Sequence, residues 1–150
     1  MVKVGSLKGQ ELMTFEALPA GTYRVSVDRA EERNSNASGE ANIMWLFRVT
    51  DVIATNQPHE DASSLVGRTL VHGTSLQESA LWNIFRTLIA LGDHPDDLQV
   101  DDLDIDLDDY PGKECVVMVT QREYPANSGT MTNNVQNMRA LSEEEAGALV

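Results

Sequence analysis

Six residues spread along the chain, Arg24, Arg48, Arg68, His72, Arg122 and Tyr124, have side chains suited to holding a single nucleic-acid strand. Such strands are bound by cations that follow the phosphates and by aromatic rings on which the bases stack. Strand periodicity puts Arg24 and Arg48 on faces opposite the more apolar residues of their segments. Arg68 and His72 border a third strand-like segment, and Arg122 and Tyr124 end a fourth. Folded into a small barrel, these positions converge on one groove. Taken singly, each arginine is equally an ordinary surface cation with a carboxylate nearby. Trp45 and Phe47 share a face with Ile43 and Val49, which marks them as core rather than as stacking platforms.

Catalytic chemistry finds less support. The chain has no G-x-S-x-G elbow, no H-E-x-x-H, no P-loop and no G-x-G-x-x-G. His59 and His94 lie in polar stretches beside acidic residues, where a solvated imidazole is expected. Cys115 is the only cysteine, so an internal disulfide is impossible. It lies in an apolar run without a neighbouring His or Lys to form the thiolate, and a buried, inert thiol is expected. Asp102, Asp104 and Asp106 have the one-three-five spacing of an EF-hand loop, but Leu107 stands where a glycine must turn and Lys113 where a bidentate glutamate belongs. The sequence thus predicts a non-enzyme with neither metal nor cofactor.

The balance of 11 basic and 24 acidic residues, a net charge of −13, argues against a surface coated in positive charge. Its distribution leaves room for a locally basic groove. Between Gly92 and Gly112 lie nine aspartates and no Lys or Arg, and Glu143, Glu144 and Glu145 cluster near the carboxyl end. What remains is nearly neutral. The aspartate run reads first as a solvated connector docked by its interleaved leucines, and second as a phosphate mimic, an acidic arm seated in the protein's own binding groove or in a partner's. Glu143, Glu144 and Glu145 are the candidate partner-binding residues, on a tail that a Ser142–Glu145 capping box would equally fold into a short helix. No apolar run approaches the roughly 20 residues of a membrane span. Met1 to Lys8 is too polar for a signal peptide, so a reducing cytoplasm is expected.

The elements that must position these residues are legible in the patterning. Period-2 alternation marks strands at Thr22–Arg29 and Asn42–Thr50, with a polar turn at Asn34–Gly39 between them. A shorter strand spans Gly67–His72, after a polar loop from Thr55 to Ser64. From Gln77 to Leu91 the period changes: Leu81, Ile84, Phe85, Leu88 and Leu91 recur at helical steps, with a capping box at Ser75 and Glu78 and Gly92 as the stop. Trp82, beside the apolar stripe, either caps the barrel or faces a partner subunit, which leaves a homo-oligomer open. Strands at Lys113–Tyr124 and Thr132–Arg139 follow, joined by a hairpin loop at Pro125–Gly129. Five strands with a helix between the third and fourth is the element order of the OB-fold, so a mainly β, OB-like barrel is expected, which binds oligonucleotides on its strand 2–3 face.

A resemblance adds to this. Phe15-Glu16-Ala17-Leu18-Pro19-Ala20-Gly21-Thr22-Tyr23, Ile43 to Val49 and Val66 to Leu70 resemble successive features of a family of small phage proteins from replication and recombination modules. Ala80-Leu81-Trp82, Ala90-Leu91-Gly92, Tyr110 to Glu114 and Thr132 to Val135 continue the likeness, in the same order, to about residue 139. The loop from Ala54 to Ser64 and the acidity before Gly112 depart from it. These proteins are similar to OB-fold single-stranded-DNA-binding proteins. The resemblance implies sequence-independent binding of single-stranded DNA in an infected bacterial host, with phage or host replication and recombination proteins as further partners. The organisation expected is an N-terminal arm over 1–14, a domain over 15–139 and an acidic tail or short helix over 140–150. The rival expectation is a module whose acidic surface docks a basic protein.

Overall fold

In the computed structural model the described residues are 17–34, 41–55, 62–99, 103–123 and 131–147. Alternating apolar residues build five antiparallel strands: β1 (Gly21–Asn34), β2 (Ala41–Thr55), β3 (Thr69–Ser75), β4 (Glu114–Glu123) and β5 (Met131–Arg139). They form one sheet in the order β3-β2-β1-β4-β5. The first three strands follow one another and the fourth returns to lie beside the first, which is the Greek-key arrangement. No ladder joins the outer strands β3 and β5, although the curled sheet brings them close. The sheet is therefore open, and the closed barrel expected from the sequence is not formed.

β1 and β2 run further than their alternation predicts. Their ladder continues through Glu31, Glu32 and Arg33 to the Asn34–Ala41 pair, beyond the reach of β4, so that this end of β1 is, among the described residues, a free sheet edge while β2 still pairs with β3. Register shifts after Thr22, Arg24 and Val27 interrupt the period. The first two place their extra residues, Ile53 and Thr50, on β2; Tyr23 and Val25 face the core, and Arg24 between them is buried on the other face by Glu114 and the Glu145 carbonyl. The core is filled by Tyr23, Val25, Trp45, Phe47, Val49 and Val117 from the strands and by Leu88 and Ile84 from the helix. Trp45 is fully buried because its indole N–H finds a partner, donating to Thr74 Oγ1 at 3.0 Å.

The main helix, α1 (Leu81–Ala90), starts later than the capping box predicts. Ser75 is the last residue of β3, paired with Asn42, and its hydroxyl accepts from the Gln77 N–H, so it cannot cap a helix. A 3-10 turn over Glu78–Ala80 leads into α1 instead. The stop is as expected. Gly92 has φ of 107°, its N–H donates to Ile89 O and that of Asp93 donates to Leu88 O, which is a Schellman motif.

The aspartate-rich connector holds a short helix, α2 (Pro95–Leu98), and a 3-10 turn at Leu107–Asp109. Leu98, Ile105 and Leu107 pack on the core while Asp96, Asp97, Asp104, Asp106, Asp108 and Asp109 stay exposed. Tyr110 pins the connector, stacking edge-on against Trp45 and donating its hydroxyl to Asp93 at 2.6 Å. The chain ends in α3 (Glu143–Gly147), whose capping box forms as predicted: Ser142 Oγ accepts from the Glu145 N–H, and the Glu145 carboxylate from the Ser142 N–H. Among the described residues no helix is long and apolar enough to cross a membrane.

Candidate functional site

Where β3 and β5 fail to pair, a cleft of about 450 Å³ opens between them, flanked by α1. Val71, His72 and Gly73 of β3 form one wall, and Asn133, Asn134 and Gln136 of β5 the other. Trp82, Asn83 and Arg86 enter from α1, and Arg122 from the end of β4. In a protein of net charge −13, two arginines and several carboxamides line this cleft, and among the described residues no carboxylate does.

Arg86 is its most distinctive group. The guanidinium donates to the Gln136 carbonyl at 3.0 Å and to Asn83 Oδ1 at 2.7 Å, and lies 5.2 Å from the centre of the Trp82 ring. Its Nε is buried with no acceptor, and among the described residues no carboxylate pairs with it. Partial burial without an anion pulls its pKa down. A cation held by neutral acceptors in this way gains from any anion that enters. Trp82, at 62% exposure, offers a large ring to solvent beside it. Spacing of i, i+4 on one face of α1 brings the two together.

The six candidates from the sequence are distributed over separate places. Arg122 is exposed and lines the cleft. His72 borders it, but its ring turns inward, stacked on Phe47 and 3.2 Å from Thr87 Oγ1. The Thr87 hydroxyl donates to Asn83 O, so the imidazole is assigned as the donor through Nε2–H. Burial, and to a lesser degree the Arg86 charge, lower its pKa to about 4, so it is neutral at physiological pH and offers no charge to a phosphate. Arg24 is buried in the fold: it binds Glu114 at 2.6 Å and the Glu145 carbonyl at 3.0 Å. Arg48 pairs with Asp28 and donates to Gly67 O, at the connection into β3. Arg68 lies on that connection, its charge near enough to the Tyr23 phenol to offset part of the upward push of burial. Neither Arg48 nor Arg68 lines the cleft. Tyr124 lies outside the described residues.

Of the acidic tail, Glu143 and Glu144 are exposed. Glu145 is not available to a partner in the same way, because its two oxygens bind Arg139 at 2.6 and 3.2 Å. That pair, with the Ser142 N–H, holds its carboxyl down at about 2. Cys115 is buried, and desolvation, helped by the Glu114 charge, pushes its thiol up to about 12, too high for a nucleophile at neutral pH. Among the described residues no group of three or more His, Cys, Asp or Glu side chains is placed to hold a metal ion.

Arg86 and the exposure of Trp82 escape a reading from periodicity, because both lie off the apolar stripe of the helix. The available signal was their four-residue spacing, a cation above an aromatic ring on a helix otherwise short of charge.

Fold and cleft together define a mainly β domain with a groove at the open seam of its sheet that carries arginines and, among the described residues, no carboxylate. Over residues 5–148 the chain matches a family described as protein of unknown function (DUF669), and it belongs to that family. No curated protein matches it.

Proposed function

We propose that this protein is a non-enzymatic, largely sequence-independent binder of single-stranded DNA, acting in phage replication or recombination in the cytoplasm of an infected bacterium. The observation that carries the reading is the cleft between β3 and β5, whose lining among the described residues holds Arg86 and Arg122 and no carboxylate, with Trp82 exposed beside Arg86. Cations for the phosphates and an aromatic face for a base are what a single strand needs. Asparagine and glutamine side chains on the β5 wall supply neutral hydrogen-bonding groups without selecting one base.

The topology supports the same reading. A Greek-key sheet of five strands, with its helix after the third, is the plan of an OB-fold left partly open. OB-folds bind oligonucleotides on the face of strands 2 and 3 and on the loops after strands 1 and 4. Here β3 walls the cleft, and Arg122 pairs with Thr132 in the β4–β5 ladder, close to that hairpin's loop. The phage setting rests on the sequence resemblance.

Titration of a labelled, unstructured oligonucleotide by fluorescence anisotropy tests the proposal. With about two phosphates neutralised, by Arg86 and Arg122, the log–log salt slope is expected near −1 to −2, from roughly −0.7 per phosphate. An absence of binding at about 50 mM salt overturns it.

A further inference from the structure

A second groove, of about 380 Å³, runs along the other side of α1 from the Arg86 cleft, between the helix and the aspartate-rich connector. Leu81, Phe85 and Leu103 line it, and each is more than a third exposed. With Leu76 they make four of the nine large apolar side chains exposed among the described residues, gathered in one place. Leucine and phenylalanine left in water cost free energy that docking would recover, about 25 cal/mol per Å² covered.

Its charge says what covers it. The connector residues that line the groove are interleaved with carboxylates: Asp97 precedes Leu98, and Asp104 sits between Leu103 and Ile105. Asp97 and Asp104 are exposed, and among the described residues neither has an ion-pair partner. The groove has no Lys or Arg in its lining, so a nucleic acid has nothing to hold there. A second copy of the chain would bring the same aspartates against these and be repelled.

We propose that this groove docks an amphipathic, basic helix of a protein partner, with its apolar stripe on Leu81, Phe85 and Leu103 and its Lys or Arg flanks against the aspartates. A helix seated in a groove uses anchors at i, i+3, i+4 and i+7, which suits a trough running along two turns of α1. The surface is distinct from the DNA cleft, with which it shares no lining residue, so the two sites fail or succeed separately.

The probe is a fluorescent Leu/Lys peptide of about five helical turns with leucines at those anchor positions, beside a scramble of equal composition. Micromolar binding of the ordered peptide is expected, weakened about tenfold or more in Leu81→Ser/Phe85→Ser and, at low salt, in Asp97→Asn/Asp104→Asn. Both variants should keep the melting temperature of the parent, and its oligonucleotide affinity to within about twofold. Equal binding of the scramble would reduce the interaction to bulk charge and overturn the proposal. So would undiminished binding by Leu81→Ser/Phe85→Ser, or a sedimenting dimer that this variant dissolves, which would make a second copy the occupant.

Discussion

His72 shows how a residue chosen for its charge is spent on the core instead. Its imidazole stacks on Phe47 and bonds to Thr87 in a space without an anion. An unfolded histidine takes up its proton as the pH falls through about 6.5, whereas the folded one resists until about 4. The stability this neutral ring contributes is therefore complete above pH 6.5 and lost as the pH falls toward 4, by about 3 kcal/mol at most. Urea unfolding at about pH 7 and about pH 4.5 measures the loss, and His72→Gln should flatten that part of the profile. A parent protein equally stable at both values would mean that the ring is not buried as described. Arg24 makes the same point through geometry. Alternation places it on the face of β1 away from the core, and there it is covered: Glu114 neutralises it and the Glu145 carbonyl of α3 accepts from its guanidinium. A distant segment that covers the outer face leaves no mark that a period-2 reading can detect. Trp45 and Phe47 sit in uninterrupted alternation, and their burial was legible.

Among the elements, those defined by local chemistry are the ones the residues announce. Gly92 closes α1 and Ser142 with Glu145 opens α3, each through hydrogen bonds within six residues of chain. The Ser75–Glu78 pair has the same spelling and fails, because β3 claims Ser75 for its ladder with β2. Long-range pairing overrides a local signal here. The same dependence makes β1 sensitive at its first residue. Gly21 sits between β2 and β4, and a Cβ there would press on the Ala54 carbonyl and lie 2.9 Å from Thr55 Cα. Gly21→Ala should lower the stability by about 1–3 kcal/mol, read from urea unfolding, because the obstruction is backbone and cannot rotate away. A neutral result would show that the β1–β2 ladder yields at this end. The open seam between β3 and β5 was not legible at all. Element order fixes which strands follow which, not whether the last pair closes.

For the whole molecule, the separation of charges matters more than their sum. The described part of the aspartate connector contributes nothing to the lining of the β3–β5 cleft, so under the proposed function it would act on DNA only at long range. At a Debye length of about 10 Å in 0.1 M salt, converting Asp104 and Asp108 to Asn should tighten oligonucleotide binding no more than about twofold, with the gain vanishing as salt rises. A larger gain that survives high salt would place the connector on the DNA path. The resemblance to phage proteins and the OB-like order pointed to the proposed activity, while the cleft that would perform it emerged only when α1, β3 and β5 were set side by side. The central claim is that Trp82 and Arg122 hold a single strand in that cleft. Its most direct test is the affinity of Trp82→Ala/Arg122→Ala for a labelled unstructured oligonucleotide at low salt, compared with the parent protein at matched melting temperature. Losing one stacking platform and one phosphate contact should weaken binding about tenfold or more. An affinity equal to the parent's would contradict the account and move the site elsewhere on the molecule.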